Sequence, residues 1–438
     1  MNRADGYTTD VDYPAFFYKE MTPVWLAATA RLQGFAAPDV ARPFRYCELG
    51  CGVGVNLLVA AACHPGAQFV GVDANERHLR VARAAAQAAG LANVEFVQGG
   101  FGAFAASGPA PFDFMATHGV WSWIAPQHRA GLLACVQAQL APGGLFYLHY
   151  MCHPGSTDLQ ELQHLLNLFA PHVPGDSARQ LQMGLKLLRQ LAGRGMFVDR
   201  PGVLRHLQVL ETEDPRHLAH EFLTDHWQPQ HAADVHQQVG ALGLDYLGSA
   251  DAFNNLDVAL SIPGQLQAVV RQTRIPALAE TLKDMARNSH QRMDLFQRAA
   301  RPLGRQAHAA QLDATVFQAL PGAPAGGAAA FSTPIGPVEV PQALGDAVLQ
   351  RLAAGPAPFA ELARLPACAG QPAALLQVLQ LLLMQESVHP AQAASGDGRA
   401  QALTQWFARN GIALRVLQDR GTAVRTAAAP HERSSHAH

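Results

Sequence analysis

The chain has no basic stripe. Its 32 lysines and arginines face 34 aspartates and glutamates, for a net charge of -2 over 438 residues with histidines neutral, so extended contact with DNA or RNA has no support. Cys47, Cys51, Cys63, Cys135, Cys152 and Cys368 show no C-x-x-C pairing, which argues against a disulfide scaffold and a thiolate zinc site and fits a reducing, cytoplasmic setting. No apolar run reaches the length of a membrane span, and Met1 to Gly6 carries no apolar signal core. A soluble, unprocessed cytoplasmic protein is therefore expected. The histidines around His217, His220, Glu221 and His226 lack the H-E-x-x-H and H-x-x-E-H spacings of a helical metal site, so no metal is expected.

A G-x-G-x-x-G dinucleotide loop is also missing. After Gly50 and Gly52 the position for a third glycine is Val55, and glycine falls one residue early at Gly54. What stands there is Glu48-Leu49-Gly50-Cys51-Gly52-Val53-Gly54, between an apolar run ending at Tyr46-Cys47 and an apolar helical stretch from Val55 to Ala62. Such a loop lets the backbone approach a ligand and presents the next helix's free amides to an anionic group. Glu48 favours S-adenosylmethionine (SAM), because a carboxylate can accept hydrogen bonds from its ammonium and meets no pyrophosphate. Gln68 to Asp73 reads as the next strand and ends in a carboxylate placed for ribose hydroxyls. Gly90 stops an alanine-rich helix, and Asn93 to Val97 then leads to Gln98-Gly99-Gly100-Phe101, where Gln98 or a backbone amide would read the adenine edge.

Further strands are expected at Phe112 to Ala116 and Gly144 to Tyr150. Strands alternating with helices imply a parallel, doubly wound sheet with ligands at the carboxyl ends of its strands. Helical spacing at 158–169 and 178–191 marks an insertion, about 156–228. Leu244 to Gly248 and Asp257 to Ser261 read as the last two strands, which closes the SAM-binding domain at 262. Helix is expected from Pro276 to Arg301, within a helical segment at 263–320. Leu320 to Gly327 has the composition of a flexible linker, which would leave the rest of the chain outside the cofactor pocket. A strand at Gly336 to Val340 and three short helices suggest a winged-helix-like domain over 331–425, whose third helix, from Ala373, carries no Arg or Lys. Residues 426–438 read as a disordered tail.

Tyr13 to Pro23, the Glu48 to Gly54 loop, His118-Gly119-Val120-Trp121-Ser122-Trp123, Leu218-Ala219-His220-Glu221-Phe222-Leu223 and Arg292 to Phe296 together resemble one group. They look like the bacterial class I SAM-dependent methyltransferases with a methyltransferase regulatory domain, similar to the protein-lysine methyltransferases acting on outer-membrane proteins. The fold class implied is α/β: a Rossmann-like class I sheet with a helical insertion and a C-terminal winged-helix-like domain. By resemblance Glu48, Gly50, Gly52 and Asp73 hold SAM, and Cys51, Ala74, Gln98, Gly99, Gly100, Phe101 and His118 complete the expected cofactor contacts. The pattern departs from the group after Tyr150, where Met151-Cys152-His153 replaces an expected Tyr-Asn.

Methyl transfer from a sulfonium needs positioning more than covalent catalysis. Where the acceptor is an ammonium, His118 is the first candidate for removing or orienting its proton, and His149 and Tyr150 are the second. The segment before the first strand brings Tyr18 over the pocket, or else merely packs on the sheet. Trp121 and Trp123, two apart in an extended segment, would wall the acceptor pocket with His149 and Tyr150, although each of these residues has a plain packing or loop-bonding alternative. The expected activity is N-methylation of a lysine-like amine on a protein or peptide. Methylation of a small biosynthetic intermediate and a non-catalytic SAM-binding regulator remain alternatives. The expected partner is a protein, peptide or small-molecule methyl acceptor, and a homodimer is the assembly to look for.

Overall fold

A computed structural model describes residues 3–4, 6–8, 10–11, 14–108, 110–327, 330–392 and 398–426. The expected tail, Thr426 apart, and Tyr13 lie outside them. The chain opens with a two-residue strand pair, β1 (Arg3–Ala4) and β2 (Tyr7–Thr8), and then α1 (Pro23–Leu32). Thr22 caps α1 by accepting from Trp25 N, with Pro23 at the first helical position, where its missing N–H costs nothing. The alternating part runs β3 (Arg45–Leu49), α2 (Val55–Cys63), β4 (Gln68–Asp73), α3 (Glu76–Ala88), β5 (Val94–Gln98), α4 (Phe101–Ala106), β6 (Phe112–Thr117), α5 (Pro126–Gln139) and β7 (Leu140–Met151).

Four helices then form the expected insertion: α6 (Thr157–Phe169), α7 (Ser177–Gly193), α8 (Pro201–Leu210) and α9 (Pro215–Phe222). They bury a core of their own, with Leu162, Leu181, Val203 and Leu218 at its centre. The chain returns through α10 (Ala232–Gly240), β8 (Leu244–Ser249), α11 (Val258–Ser261), α12 (Gln267–Gln272), α13 (Pro276–Arg287) and β9 (Gln291–Arg298).

One seven-stranded sheet results, in the order β5-β4-β3-β6-β7-β9-β8. β5, β4, β3, β6 and β7 are parallel, whereas β9 is antiparallel to both β7 and β8. Two expectations are corrected here. Asp257 to Ser261 is not a strand, because the Asp257 side chain accepts from Ala259 N and starts the short helix α11. The helix expected through Arg301 stops at Arg287, and Gln291–Arg298 forms the seventh strand, so the sheet closes beyond residue 262. Asn288 ends α13 in the left-handed conformation, φ 50°.

The remaining elements are α14 (Arg305–Ala314), β10 (Val316–Ala319), β11 (Ala330–Thr333), β12 (Gly336–Glu339), α15 (Gln342–Ala353), β13 (Ala357–Pro358), α16 (Phe359–Leu362), α17 (Pro372–Met384), β14 (Val388–Pro390), α18 (Arg399–Arg409), β15 (Leu414–Leu417) and β16 (Thr422–Arg425). β10 pairs with both β13 and β14. The stretch read as a linker does not isolate this region. α18 and β16 lie on α2, Gln392 Nε2 donates to Cys63 O at 3.2 Å, the Trp25 and His389 rings are 5.3 Å apart, and Leu57, Leu58, Leu403 and Phe407 belong to one continuous core.

Candidate functional site

The glycine loop sits at the carboxyl end of β3 and is tied to β4. Gly50 N and Cys51 N both donate to Val72 O, at 2.7 and 3.2 Å. The Asp73 carboxylate accepts from Gly52 N through one oxygen and from Asn75 N through the other, both at 2.8 Å. Gly50 adopts φ +77°, and a Cβ there would stand 2.3 Å from Val120 Cγ2, so both backbone conformation and close packing demand glycine. Beside Gly52, Gly99, Gly100 and Gly119 a Cβ would meet nothing within 4 Å. An open cradle thus runs along the ends of β3, β5 and β6.

Glu48, next to last in β3, is buried with no hydrogen-bond partner at Oε2. Burial, reinforced by Asp73, raises its carboxyl well above the usual range. A buried acceptor without a partner is costly, and an ammonium donor entering the cradle would satisfy it. Of the other expected cofactor contacts, Ala74 and Gln98 are exposed on the cradle's rim, with Gln98 Nε2 donating to Ala74 O at 3.5 Å. Phe101 starts α4 and is partly buried against the core on that side of the sheet. The thiol of Cys51 turns inward, 2.8 Å from where a Cβ on Gly71 would stand, so it does not line the cradle.

Beyond β6 a stack of rings forms. His118 lies between Tyr18, ring centroids 3.6 Å apart, and His149, 3.9 Å apart. Its Nδ1 is 2.8 Å from the Tyr147 hydroxyl. Burial, with His149 adding to it, holds the His118 imidazole well below its ordinary pKa. His149 Nδ1 accepts from Gly119 N at 3.1 Å, which leaves Nε2–H to donate to Gln291 Oε1 at 3.0 Å. Burial lowers its pKa to about 4. Both rings are therefore neutral at physiological pH and present no charge against a cation.

Tyr18 reaches this stack because its segment is pinned to the start of α2. Asn56 Oδ1 accepts from Tyr18 N at 3.2 Å, and Asn56 Nδ2 donates to Tyr18 O at 2.7 Å. On the far side α9 leans over the same segment. His217 lies against Phe16, centroids 4.9 Å apart, and His220 Nε2 is 3.0 Å from Val11 O. Glu221, one turn beyond His217, acts electrostatically on Tyr18 and lies beside the indole N–H of Trp123.

Two expected site residues are corrected. Alternation along β7 sends Tyr147 and His149 to the site face and Tyr150 to the other. There Tyr150 is fully buried and its hydroxyl donates to Asp294 Oδ2 at 2.7 Å, so it takes no part at the acceptor site. Trp121 and Trp123 do not share a wall, because the segment is a turn closed by Trp123 N on Val120 O at 2.9 Å. Trp121 is buried in the sheet's core with Nε1 donating to Gln230 Oε1 at 2.6 Å. Trp123 packs into the insertion's core and faces His149 at 6.0 Å, so only it remains at the site. Sequence reasoning did not assign Asn56, Tyr147 or Glu221 to the site. For Glu221 the usable signal was its place one helical turn after His217 within the Leu218 to Leu223 string.

Comparison with known proteins agrees with this fold. Residues 43–184 match the family described as methyltransferase domain, and residues 214–298 the family described as predicted methyltransferase regulatory domain. An uncharacterised protein of Synechocystis sp. is 29% identical over 306 residues, covering 69% of this chain and 60% of its own length. An uncharacterised protein of Rickettsia prowazekii is 30% identical over 164 residues, 36% of this chain and 28% of its own. The chain thus spans less than two thirds of these curated relatives. The structure of PKMT2 from Rickettsia typhi in complex with AdoHcy superposes with a TM-score of 0.67 at 19% identity, covering 86% of this chain and 77% of that one. The same protein described without AdoHcy gives 0.68 at 18%, covering 91% and 82%. The chain thus joins a part that matches a methyltransferase domain to a part that matches a predicted methyltransferase regulatory domain, and its fold is that of the Rickettsia typhi protein.

Proposed function

We propose that the protein transfers the methyl group of SAM to an amine on a protein or peptide side chain. The observation that carries this reading is the unpartnered, buried Glu48 Oε2 beside an open glycine cradle. That combination calls for a ligand with an ammonium close to flat, backbone-hugging atoms. Glu48 would take the ammonium, Asp73 the ribose hydroxyls, and Gln98 with the Gly99–Gly100 backbone the adenine edge. Bound SAM supplies an electrophilic methyl, and the chain's part is to hold an acceptor in line and keep water out. The AdoHcy bound to Rickettsia typhi PKMT2, which has the same fold, supports the cofactor, and the resemblance of the sequence motifs to those of protein-lysine methyltransferases supports the amine. Residues 331–425, read as winged-helix-like, act in this proposal as a buttress behind α1 and α2.

Calorimetric titration with SAM tests the assignment. Asp73→Ala removes a charge-assisted acceptor and is expected to weaken binding by about 1.5–3 kcal/mol, roughly ten- to a hundred-fold. Unchanged affinity in a variant that still melts cooperatively would overturn the placement of SAM at this loop.

A further inference from the structure

The turn that follows β6, His118 to Trp123, is held from outside itself. Trp121 Nε1 donates to Gln230 Oε1 at 2.6 Å, Gln228 N donates to Ser122 O at 2.8 Å, and the Thr224 hydroxyl donates to Trp123 O at 3.3 Å. A fourth tie runs through a ring. Gly119 N donates to His149 Nδ1 at 3.1 Å, and His149 Nε2 lies 3.0 Å from Gln291 Oε1. Thr224, Gln228, Gln230 and Gln291 all belong to residues 214–298, the part that matches the predicted methyltransferase regulatory domain. The turn also touches the cofactor loop, since Val120 Cγ2 is the atom that a Cβ on Gly50 would strike.

We propose that Gln291 is a positioning residue for methyl transfer: it holds His149 in the Nε2–H tautomer, and His149 in turn holds the backbone of this turn at the sulfonium end of the cradle. This rests on the methyltransferase reading above and adds to it a task for the regulatory part. The contacts proposed for SAM fall on Gln98 of β5, Asp73 of β4 and Glu48 of β3, which are neighbours in that order, and β6 and β7 come next in the sheet. The methyl group is thus left facing the ends of β6 and β7, where His118 and His149 stand. A backbone N–H can only donate, so Gly119 requires a bare Nδ1 on His149, and a carbonyl oxygen at Nε2 requires a proton there. Gln291 supplies that oxygen.

The ring so fixed is 3% exposed and stacks on His118, so a change in its tautomer or charge is felt beside the sulfonium. Gln291 itself is exposed, and replacing it spares the apolar core. The titratable groups around His149 are His118, Tyr18 behind His118, and Glu221 beyond Trp123. Burial holds the His149 ring at about 4, so it is mostly uncharged down to pH 5.

The test compares SAM with AdoHcy, which lacks the methyl group and the sulfonium charge and is otherwise the same ligand. Both are titrated calorimetrically into the full chain at pH 5 and pH 8, and each variant is set against the parent at the same pH, so that the titration of Glu221 cancels. Gln291→Leu keeps the bulk and offers no acceptor. It is expected to weaken SAM about two- to ten-fold relative to AdoHcy at both pH values, with the melting temperature retained. Gln291→Glu keeps an acceptor oxygen and is expected to match the parent at pH 8. Its carboxylate favours the imidazolium, and at pH 5 a proton on Nδ1 would leave Gly119 N without an acceptor and set a positive charge beside the sulfonium, so the selective loss of SAM is expected to return. Nitrogen NMR of the histidine-labelled parent, with His149 assigned from His149→Gln, is expected to show Nε2–H at pH 8. A proton on Nδ1 there overturns the proposal without any change at Gln291. So does a Gln291→Leu chain that weakens SAM and AdoHcy equally or neither, or a Gln291→Glu chain that departs from the parent at pH 8. A parent chain that binds neither ligand would instead overturn the methyltransferase reading.

Discussion

A chain ending at Leu320 is expected to lose its cooperative fold, and with it any binding of AdoHcy. All nine residues of α2, Val55 to Cys63, are buried, and a helix apolar on every side must be covered on every side. One of those covers is α18, whose buried residues are Ala400, Leu403 and Phe407, with β16 beside it. Truncation would also strip β10 of both its pairing strands and remove Glu386 from Lys19, a contact of 3.1 Å. Uncovering a large apolar side chain costs about 1.5–3 kcal/mol, so re-exposing four or five of them equals the whole stability of a typical domain, about 5–15 kcal/mol. Thermal melting followed by circular dichroism, with calorimetric titration of AdoHcy, checks this. A truncated chain that melts in one sharp step and binds AdoHcy as the full chain does would show that the shared core is dispensable.

The same helix shows where the sequence could be read and where it could not. Glu48, the glycines and Asp73 were legible because their geometry is local: a strand end, a turn that needs positive φ, and a second strand one unit later. The cover over α2 was not, since the patterns of α18 and the β15–β16 hairpin say only that some face is apolar, not which helix it meets. β9 was misread for a different reason. Two inward positions on this strand carry Arg292 and Asp294, both buried, so the alternation that marks a half-buried strand is hidden behind charges that pair only in the folded chain. Tyr150 was open to correction without coordinates. Neighbours on a strand face opposite ways, so His149 and Tyr150 could not both line one pocket, and the ring at His149 excludes the hydroxyl at Tyr150. Trp121 and Trp123 failed the reverse way, because spacing by two carries meaning only in extended backbone and theirs is a turn.

Arg292→Met is expected to destabilise the protein by about 3–5 kcal/mol, the cost of leaving buried charges without their partner. Arg292 is buried, with Nη1 donating to Asp284 Oδ1 at 2.8 Å, Nη2 to Glu280 Oε2 at 2.8 Å and Nε to Asp294 Oδ1 at 3.0 Å. Tyr150 and His236 both lie on Asp294 Oδ2, at 2.7 and 2.8 Å, so the cluster ties β7, β9, α10 and α13 together. Arg292, with Lys283 beside it, holds the Glu280 carboxyl down at about 2 against its burial, and Arg292 and His236 keep Asp294 below its usual value. A carboxyl depressed in the folded state adds stability above its unfolded pKa, about 4.3 for Glu, and that contribution is lost as pH falls toward the folded value. For these two groups the unmodified protein should therefore hold its melting temperature from pH 7 to about 5 and lose it between about 4.5 and 2. Without the guanidinium the sign reverses. Asp284, whose carboxyl burial already raises in the intact cluster, then sits in a buried site with Asp294 and Glu280 raised as well, ionisation opposes folding, and the Arg292→Met variant should gain stability as pH is lowered from 7 toward 5. Melting curves at pH 7, 6, 5 and 4 distinguish the two slopes. A variant whose melting temperature stays within about 2 °C of the parent at pH 7, or falls in parallel with it on acidification, would show that the cluster does not brace β9, α10 and α13 against β7.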